Sequence, residues 1–432
     1  MTAAPPPDTT QRPATSLLRK LGPGLVTGAA DDDPSGIATY SQTGAQFGYG
    51  LLWTMVLTYP LMSAIQLVSA QIGRVTGKGL AANLGEVMPR WAVNLLVVLL
   101  LVANTINIGA NLAAMGAAAE LLAHRGSHIF TVGFAVLSLL LQLFVPYQRY
   151  VAFLKWLTFV LLAYVAVLFT VKLDWTSVIQ GLVWPRAQPS AALITAIVAI
   201  FGTTISPYLF FWQAAQEVEE VNRKAHAKPL TEAPKQAGRA MRRIRLDTLV
   251  GMAVSNLVAI AIMLATAATL HVQGKTDITS AADAARALEP AAGRFAFLLF
   301  ALGIIGTGLL SVPVLAGSAA YAVGECRKWK CGLAHKPWEA PGFYGVIAAA
   351  TLLGVGIDWS PLDPMKALFW SAVINGVIAV PMMAAMMRVA SRPGQMGQFV
   401  VGRGVRLLGW IATVVMGLAV AAMALSPLLP RG

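Results

Sequence analysis

Asp31-Asp32-Asp33-Pro34-Ser35-Gly36 interrupts an apolar run that begins near Leu21 and resumes at Ile37. Three carboxylates, a proline and a glycine therefore fall where a membrane helix should be continuous. A charge at membrane depth is expensive, and one retained there marks a transport pathway. Pro34 removes a backbone donor and disfavours helix at Asp33, while Gly36 adds freedom, so the spacing predicts a broken helix. Broken backbone inside a bilayer is tolerated only where protein or water covers it. The competing reading is a polar loop between two short helices; a second break at the matching place in the second half of the chain argues against it.

Composition sets the class. Hydrophobic residues make up 57% of the 432, charged residues 12%, and the mean hydropathy is +0.66, whereas a soluble chain carries about twice that charge. The expected fold is an all-α polytopic membrane protein, with length for roughly ten to twelve spans of about 20 residues. The proline-rich start around Pro5-Pro6-Pro7 reads as a disordered tail over residues 1–18, not as a signal peptide. A net charge of +13 could suggest nucleic acid, but the basic residues sit in short loops between spans, so no nucleic-acid partner is expected and the lipid bilayer is. Cys326 and Cys331 are the only cysteines; without a second pair they read as reduced thiols in a cytoplasmic loop rather than as a metal site.

Spanning segments are expected near 21–45, 51–73, 92–122, 128–146, 151–171, 192–215, 246–270, 294–323, 342–357, 365–388 and 405–428, eleven in all. With the N-terminus cytoplasmic and the C-terminus outside, 24 of the 32 Lys and Arg fall on inside segments, as the positive-inside rule requires. The sixth span carries the second break, Thr203-Thr204-Ile205-Ser206-Pro207-Tyr208. Spans one and six lie five apart and so cross in opposite directions, which points to an inverted-repeat transporter with its site at the midplane. The domain reading is a transporter core over 19–390, with repeats at about 21–175 and 192–390, then a final helix within 391–432. Pro60 and Pro381 read as kinks. Asn104, Asn107 and Asn111 recur at helical spacing on span three and form either a packing seam or a solvated path.

The first half of each broken helix should present unsatisfied carbonyls and partial negative charge at the break. With the Asp33 carboxylate, the Ser206 hydroxyl and a carbonyl such as that of Thr203, these make an oxygen cage for a hard cation. No Lys or Arg lies within either break to neutralise Asp33. Of its neighbours, Asp32 is expected to line the pathway and Asp31 to support or pack, because consecutive helical positions point about 100° apart. Gln213, Gln216, Glu217, Glu219 and Glu220 form either an exit vestibule or a solvated face paired with Arg223 and Lys224. The five histidines fall in loops or at span ends.

These residues carry a resemblance. Gly22-Pro23-Gly24, the Asp-Pro of span one, the run from Gln66 to Leu80 and the proline break of span six resemble the NRAMP divalent-metal transporter family, from about Leu21 to Pro381. The resemblance implies eleven spans, an inside N-terminus and a LeuT-like inverted 5+5 repeat plus one extra helix, with helices one and six broken at mid-membrane. It also implies departures. The family's Asp-Pro-Gly-Asn is here Asp33-Pro34-Ser35-Gly36, which keeps the acid and puts Gly36 in the place of the Asn ligand. Its Met-Pro-His is here Ser206-Pro207-Tyr208. Its span-ten Gln falls at Ala372, and its span-three acidic pair near Asn111 and Ala114. Losing sulfur removes the soft ligand that favours Mn, Fe or Cd over Mg; fewer ligands leave room for the water that Mg²⁺ keeps. In these losses the chain is similar to the NRAMP-related magnesium transporters, and in the lost methionine also to the plant NRAMP-related aluminium transporter.

The expected function is secondary transport of a divalent cation, Mg²⁺ with Mn²⁺ as the next choice, without proton coupling. Asp33, Gly36, Thr203 and Ser206 would be at the metal, and Asp32, Tyr208, Asn111 and Ala372 along the pathway. No cofactor is expected beyond the transported ion, and the simplest assembly is a monomer in a plasma or bacterial inner membrane. The alternatives are an ordinary proton-coupled Fe/Mn importer, a LeuT-fold carrier of a small organic solute, and a channel or sensor. Asp33 opposes the organic anion, which it would repel. No spacing matches a nucleophile triad, a phosphate loop or a zinc protease, so an enzyme is not expected.

Overall fold

Each apolar run must satisfy its own backbone where no water is available, and the helix is the single-segment solution. The computed structural model describes residues 27–28, 30–123, 126–145, 159–185, 188 and 190–426, and every regular element among them is helical. The principal helices are α1 (Pro34–Phe47), α2 (Trp53–Thr76), α3 (Leu80–Val87), α4 (Arg90–Ala123), α5 (Ser127–Phe144), α6 (Leu162–Thr170), α7 (Trp175–Val183), α8 (Ala191–Thr204), α9 (Pro207–Arg223), α10 (Ala237–Thr266), α11 (Ala296–Arg327), α12 (Pro341–Val355), α13 (Pro364–Ala390) and α14 (Arg403–Leu425). Among the described residues nine helical stretches are long and apolar enough to cross a membrane. The tail expected at 1–18, the start of the first span and the first part of the span expected at 151–171 lie outside the described residues.

Both expected breaks are present. Residues 27, 28, 30 and 31 are helical, the helix stops at 32–33, and α1 begins at Pro34. In the sixth span α8 ends at Thr204 and α9 begins at Pro207, with Ile205 and Ser206 between them. Each restart places proline in the first turn, where its missing N–H costs nothing. Pro60 and Pro381, by contrast, sit inside continuous helices.

The broken first span is enclosed by α8, α10 and α13, with α4 and α11 packed together beside it. The outer helices turn apolar side chains away from the bundle. On α4 these are Trp91, Leu95, Val98 and Val102, and on α14 Leu407, Val414 and Leu418. Such stripes would be a liability in water but suit a lipid boundary.

Close helix approach depends on small residues, as is usual where lipid offers no hydrophobic drive. A Cβ on Gly202 of α8 would sit 2.0 Å from the Ala372 carbonyl and 2.5 Å from the Gly376 nitrogen of α13. Backbone cannot yield as a flexible side chain can, so overpacking here should cost about 1–3 kcal/mol or more. Gly202→Val is expected to lower the melting temperature of the purified protein clearly, whereas Gly345→Ala, with nothing within 4 Å of its would-be Cβ, should not. Equal melting curves would remove the close-packing account of this contact.

Candidate metal site

Asp33 lies in extended backbone as the N-cap of α1. Its Oδ1 accepts from the Ser35 hydroxyl at 2.6 Å and the Gly36 amide at 2.9 Å, and its Oδ2 from Asn107 Nδ2 at 3.5 Å. Ser371 Oγ of α13 lies 3.2 Å from Asn107 Oδ1 and 2.7 Å from the Leu368 carbonyl, with one proton to share between them. The sequence therefore folds an acid onto a helix N-terminus and holds it from two other spans. Asp31, Asp32 and Asp33 are only 1%, 5% and 1% exposed, and no lysine or arginine among the described residues lies within 4.0 Å of them. Buried acids without a basic partner are costly unless a cation or proton joins them.

Thr203 and Gly36 are brought together. A Cβ on Gly36 would lie 3.3 Å from Thr203 Oγ1 and 3.3 Å from Tyr40 Cε2. Thr203 Oγ1 is buried beside Tyr40, so span six also presents this hydroxyl oxygen to α1. The Thr203 carbonyl expected in that role accepts from Ser206 Oγ at 2.8 Å, as the Gly202 carbonyl does at 2.9 Å, and each keeps a second lone pair. Ser206 is thus in the break, with its single proton occupied by the end of its own helix.

The pathway residues divide. Asp32 and Asp31 were expected to face different ways, yet Ser255 Oγ of α10 lies 3.0 Å from Asp32 Oδ1 and 2.7 Å from Asp31 Oδ2. The two acids converge on one hydroxyl because the helix ends there and no longer enforces its 100° step. A hydroxyl has one proton, so it can donate fully to only one of them. Tyr208 is buried and donates its hydroxyl to the Ala30 carbonyl at 3.2 Å, satisfying one end of the first half-helix. Asn111 donates to Ser311 of α11 at 3.1 Å and also reaches Asp33, and Asn107, one turn earlier, bonds Asp33 Oδ2 at 3.5 Å. Ala372, expected along the pathway, is wholly buried. It packs in an apolar cluster with Val198, Ala199 and Val373, and its neighbour Ser371 faces the site instead.

Ser255, Ser371 and Asn375 were not singled out from sequence. Asn375 is wholly buried on α13 with neither amide atom partnered. The available signal was the one that marked Asn107: an isolated polar side chain in an otherwise apolar span.

At the C-terminal end of α9, Glu220 pairs with Lys224 at 2.5 Å and Arg223 at 3.5 Å, which follows the paired-face reading. Glu219 accepts from the Tyr321 hydroxyl at 2.6 Å and the Leu333 amide at 2.9 Å. At the opposite end of the bundle a cavity of about 790 Å³ is lined by Glu120, Ser127, Ser280 and Asp363. Among the described residues no group of three His, Cys, Asp or Glu is arranged to hold a metal ion, so any cation must rely on hydroxyl, amide and carbonyl oxygens as well as carboxylates. Cys326 and Cys331 are free thiols. Burial, with Glu325 nearby, pushes the Cys331 thiol up to about 12. It should therefore stay protonated at pH 8 and react with iodoacetamide more slowly than free cysteine, as mass spectrometry after timed quenching would show.

An all-α bundle with two antiparallel broken spans around a buried polar centre is the fold of LeuT-like secondary transporters. Within that class the chain belongs to the Nramp family: the model for natural resistance-associated macrophage protein-like proteins matches residues 24–426. It is 27% identical over 422 residues to the divalent metal cation transporter MntH of Erwinia tasmaniensis, covering 94% of this chain and 95% of the relative. It is also 27% identical over 410 residues to the MntH of Mycobacterium tuberculosis, covering 92% and 89%. The fold matches a crystal structure of the Eremococcus coleocola manganese transporter at a TM-score of 0.77 and 18% identity, covering 98% of this chain and 91% of that one. Mhp1, a nucleobase-cation-symport-1 family transporter, matches at 0.54 and 14% identity, covering 95% and 94%.

Proposed function

We propose that this protein carries a divalent metal cation across a membrane, with Mg²⁺ as the preferred cargo and Asp33, Gly36, Thr203 and Ser206 around it. The observation that carries the reading is the buried Asp33 carboxylate, without a basic partner among the described residues, at a break where Gly36 leaves room beside the buried Thr203 hydroxyl of span six. Every polar atom named at the site is oxygen or amide, and hard donors suit Mg²⁺, which prefers a few carboxylates and retained water. Membership of the Nramp family and relatives named as divalent metal cation transporters support the metal class. The acidic cavity at the far end, with Glu120 and Asp363, suits a cation entrance. Asp33 and Thr203 are shut off from solvent, so passage requires the half-helices to move and open one side at a time. The basic bias of the loops supports a cytoplasmic N-terminus.

Mn²⁺ is the second reading. It also accepts hard oxygen ligands, and it is favoured by the likeness to a protein named as a manganese transporter. Proteoliposomes carrying a fluorescent divalent-ion reporter, offered Mg²⁺ and Mn²⁺ in turn and in competition, decide between them; uptake of neither sinks the proposal.

Transport should proceed without proton movement. The span-three positions Asn111 and Ala114 do not titrate, and Tyr208 is a buried phenol whose hydroxyl is committed to the Ala30 carbonyl. Carboxylates that hold a metal cannot easily carry a proton beside it. With the potential clamped and a pH-sensitive dye inside, metal uptake should leave the internal pH flat. A metal-dependent acidification would reveal a relay, with Asp32 beside Ser255 the first residue to test.

A further inference from the structure

A second cavity lies about 20 Å along α9 from the break, at the rise of an ordinary helix. It measures about 750 Å³ and sits between the ends of α2 and α9, the 224–236 loop and the first turns of α10. Its walls carry Arg74, Lys224, Lys235, Arg239 and Arg243 against a single carboxylate, Glu220. Lys224 pairs with Glu220, and Arg243 with Glu217 from behind the wall. Arg74, Lys235 and Arg239 have no carboxylate within 4.0 Å among the described residues. Arg243 also keeps Nη1 buried and without a partner.

The walls are built rather than loosely gathered. Arg74 donates to the Lys228 carbonyl at 2.6 Å and to Gln236 Oε1 at 3.0 Å, and Gln236 donates onward to the His226 carbonyl at 2.8 Å. The loop is tied to the end of α2 through Leu230 N to Arg74 O at 3.3 Å and Thr231 N to Val75 O at 3.2 Å, with Leu230 wholly buried. Like charges are therefore held around an opening they would otherwise push apart. Helix α10 adds to the imbalance, because it begins here without an acidic residue in its first turn or a side-chain cap, and with Arg239, Arg242 and Arg243 in its first two turns. Cations at a helix N-terminus oppose its dipole, and an anion there is stabilised by both.

We propose that this cavity binds a phosphate-bearing anion. Guanidinium forks match phosphate oxygens in pairs, and a volume in the range of small-ligand pockets admits more than a single inorganic ion. The phosphate could belong to a soluble nucleotide, or to the headgroup of an anionic lipid of the kind that basic pockets between spans bind. The proposal stands apart from the cation reading and does not depend on it.

The test uses the full chain in nanodiscs with EDTA present, so that ATP cannot act by withdrawing metal. In phosphatidylcholine discs, ATP is titrated by calorimetry; in a second arm, native mass spectrometry follows retention of cardiolipin after detergent extraction. The variant Lys235→Ala/Arg239→Ala alters two exposed side chains and so spares the fold, which its elution profile verifies. Saturable ATP binding weakened at least tenfold in the variant identifies a soluble ligand, and cardiolipin retention lost in the variant identifies a lipid headgroup. Either result supports the site. Absence of both, or binding that the double substitution leaves unchanged, overturns it.

Discussion

Asp33→Ala should reduce metal uptake in proteoliposomes to the level of protein-free vesicles. The carboxylate is the charged group at the α1 break that also bonds Asn107 of α4, and no arginine or lysine among the described residues takes its place. Substitution by alanine removes two things, however. It deletes the charge, and it deletes the cap that accepts from Ser35 Oγ and Gly36 N, a loss of about 0.5–2 kcal/mol for the helix start. Asp33→Asn separates them, since asparagine caps as well as aspartate but carries no charge. Both variants should lose uptake, while only alanine should lower the melting temperature. Full uptake by a monodisperse Asp33→Asn preparation would falsify the ligand role and leave Asp33 as a structural cap.

How far the sequence foretold this site depends on the range over which each residue acts. The two breaks were readable because proline, glycine and charge act on their own backbone, and both helices restart at the prolines. The membrane class was readable from mean hydropathy and the lengths of the apolar runs, and the LeuT-like fold from the two breaks and the family resemblance they belong to. The convergence of Asp31 and Asp32 on Ser255 was not readable, because it joins residues more than 220 positions apart across a packed interface. The surroundings of Ala372 were equally out of reach. A position carried over from a family pattern fixes a register on a helix, but its surroundings depend on the neighbours, and here α8 presents Val198 and Ala199 to it. The Thr203 carbonyl was within reach of local reasoning. A serine three residues on can bond back to that carbonyl, and Ser206 does so.

Selectivity should follow sulfur at position 206. In the native protein position 206 offers a hydroxyl oxygen, and neither break contains a Met, Cys or His, so Cd²⁺ should compete poorly with Mg²⁺. Ser206→Met supplies a thioether and frees the Gly202 and Thr203 carbonyls at once. If the new ligand contributes on the order of 1–3 kcal/mol, competition by Cd²⁺ should strengthen about 5- to 150-fold. Ser206→Leu is the control, because it frees the same carbonyls without adding sulfur. Adding Gly36→Asn should reinforce the shift toward Mn²⁺ and Cd²⁺, but less cleanly, since a side chain there must displace Thr203 Oγ1 and Tyr40 Cε2 from 3.3 Å contacts. The measurement is inhibition of Mg²⁺ uptake by graded Cd²⁺ for the three proteins. If leucine shifts the curve as far as methionine, carbonyl release rather than softness controls the site. If the native protein already prefers Cd²⁺, hard-oxygen selection of Mg²⁺ fails at its root.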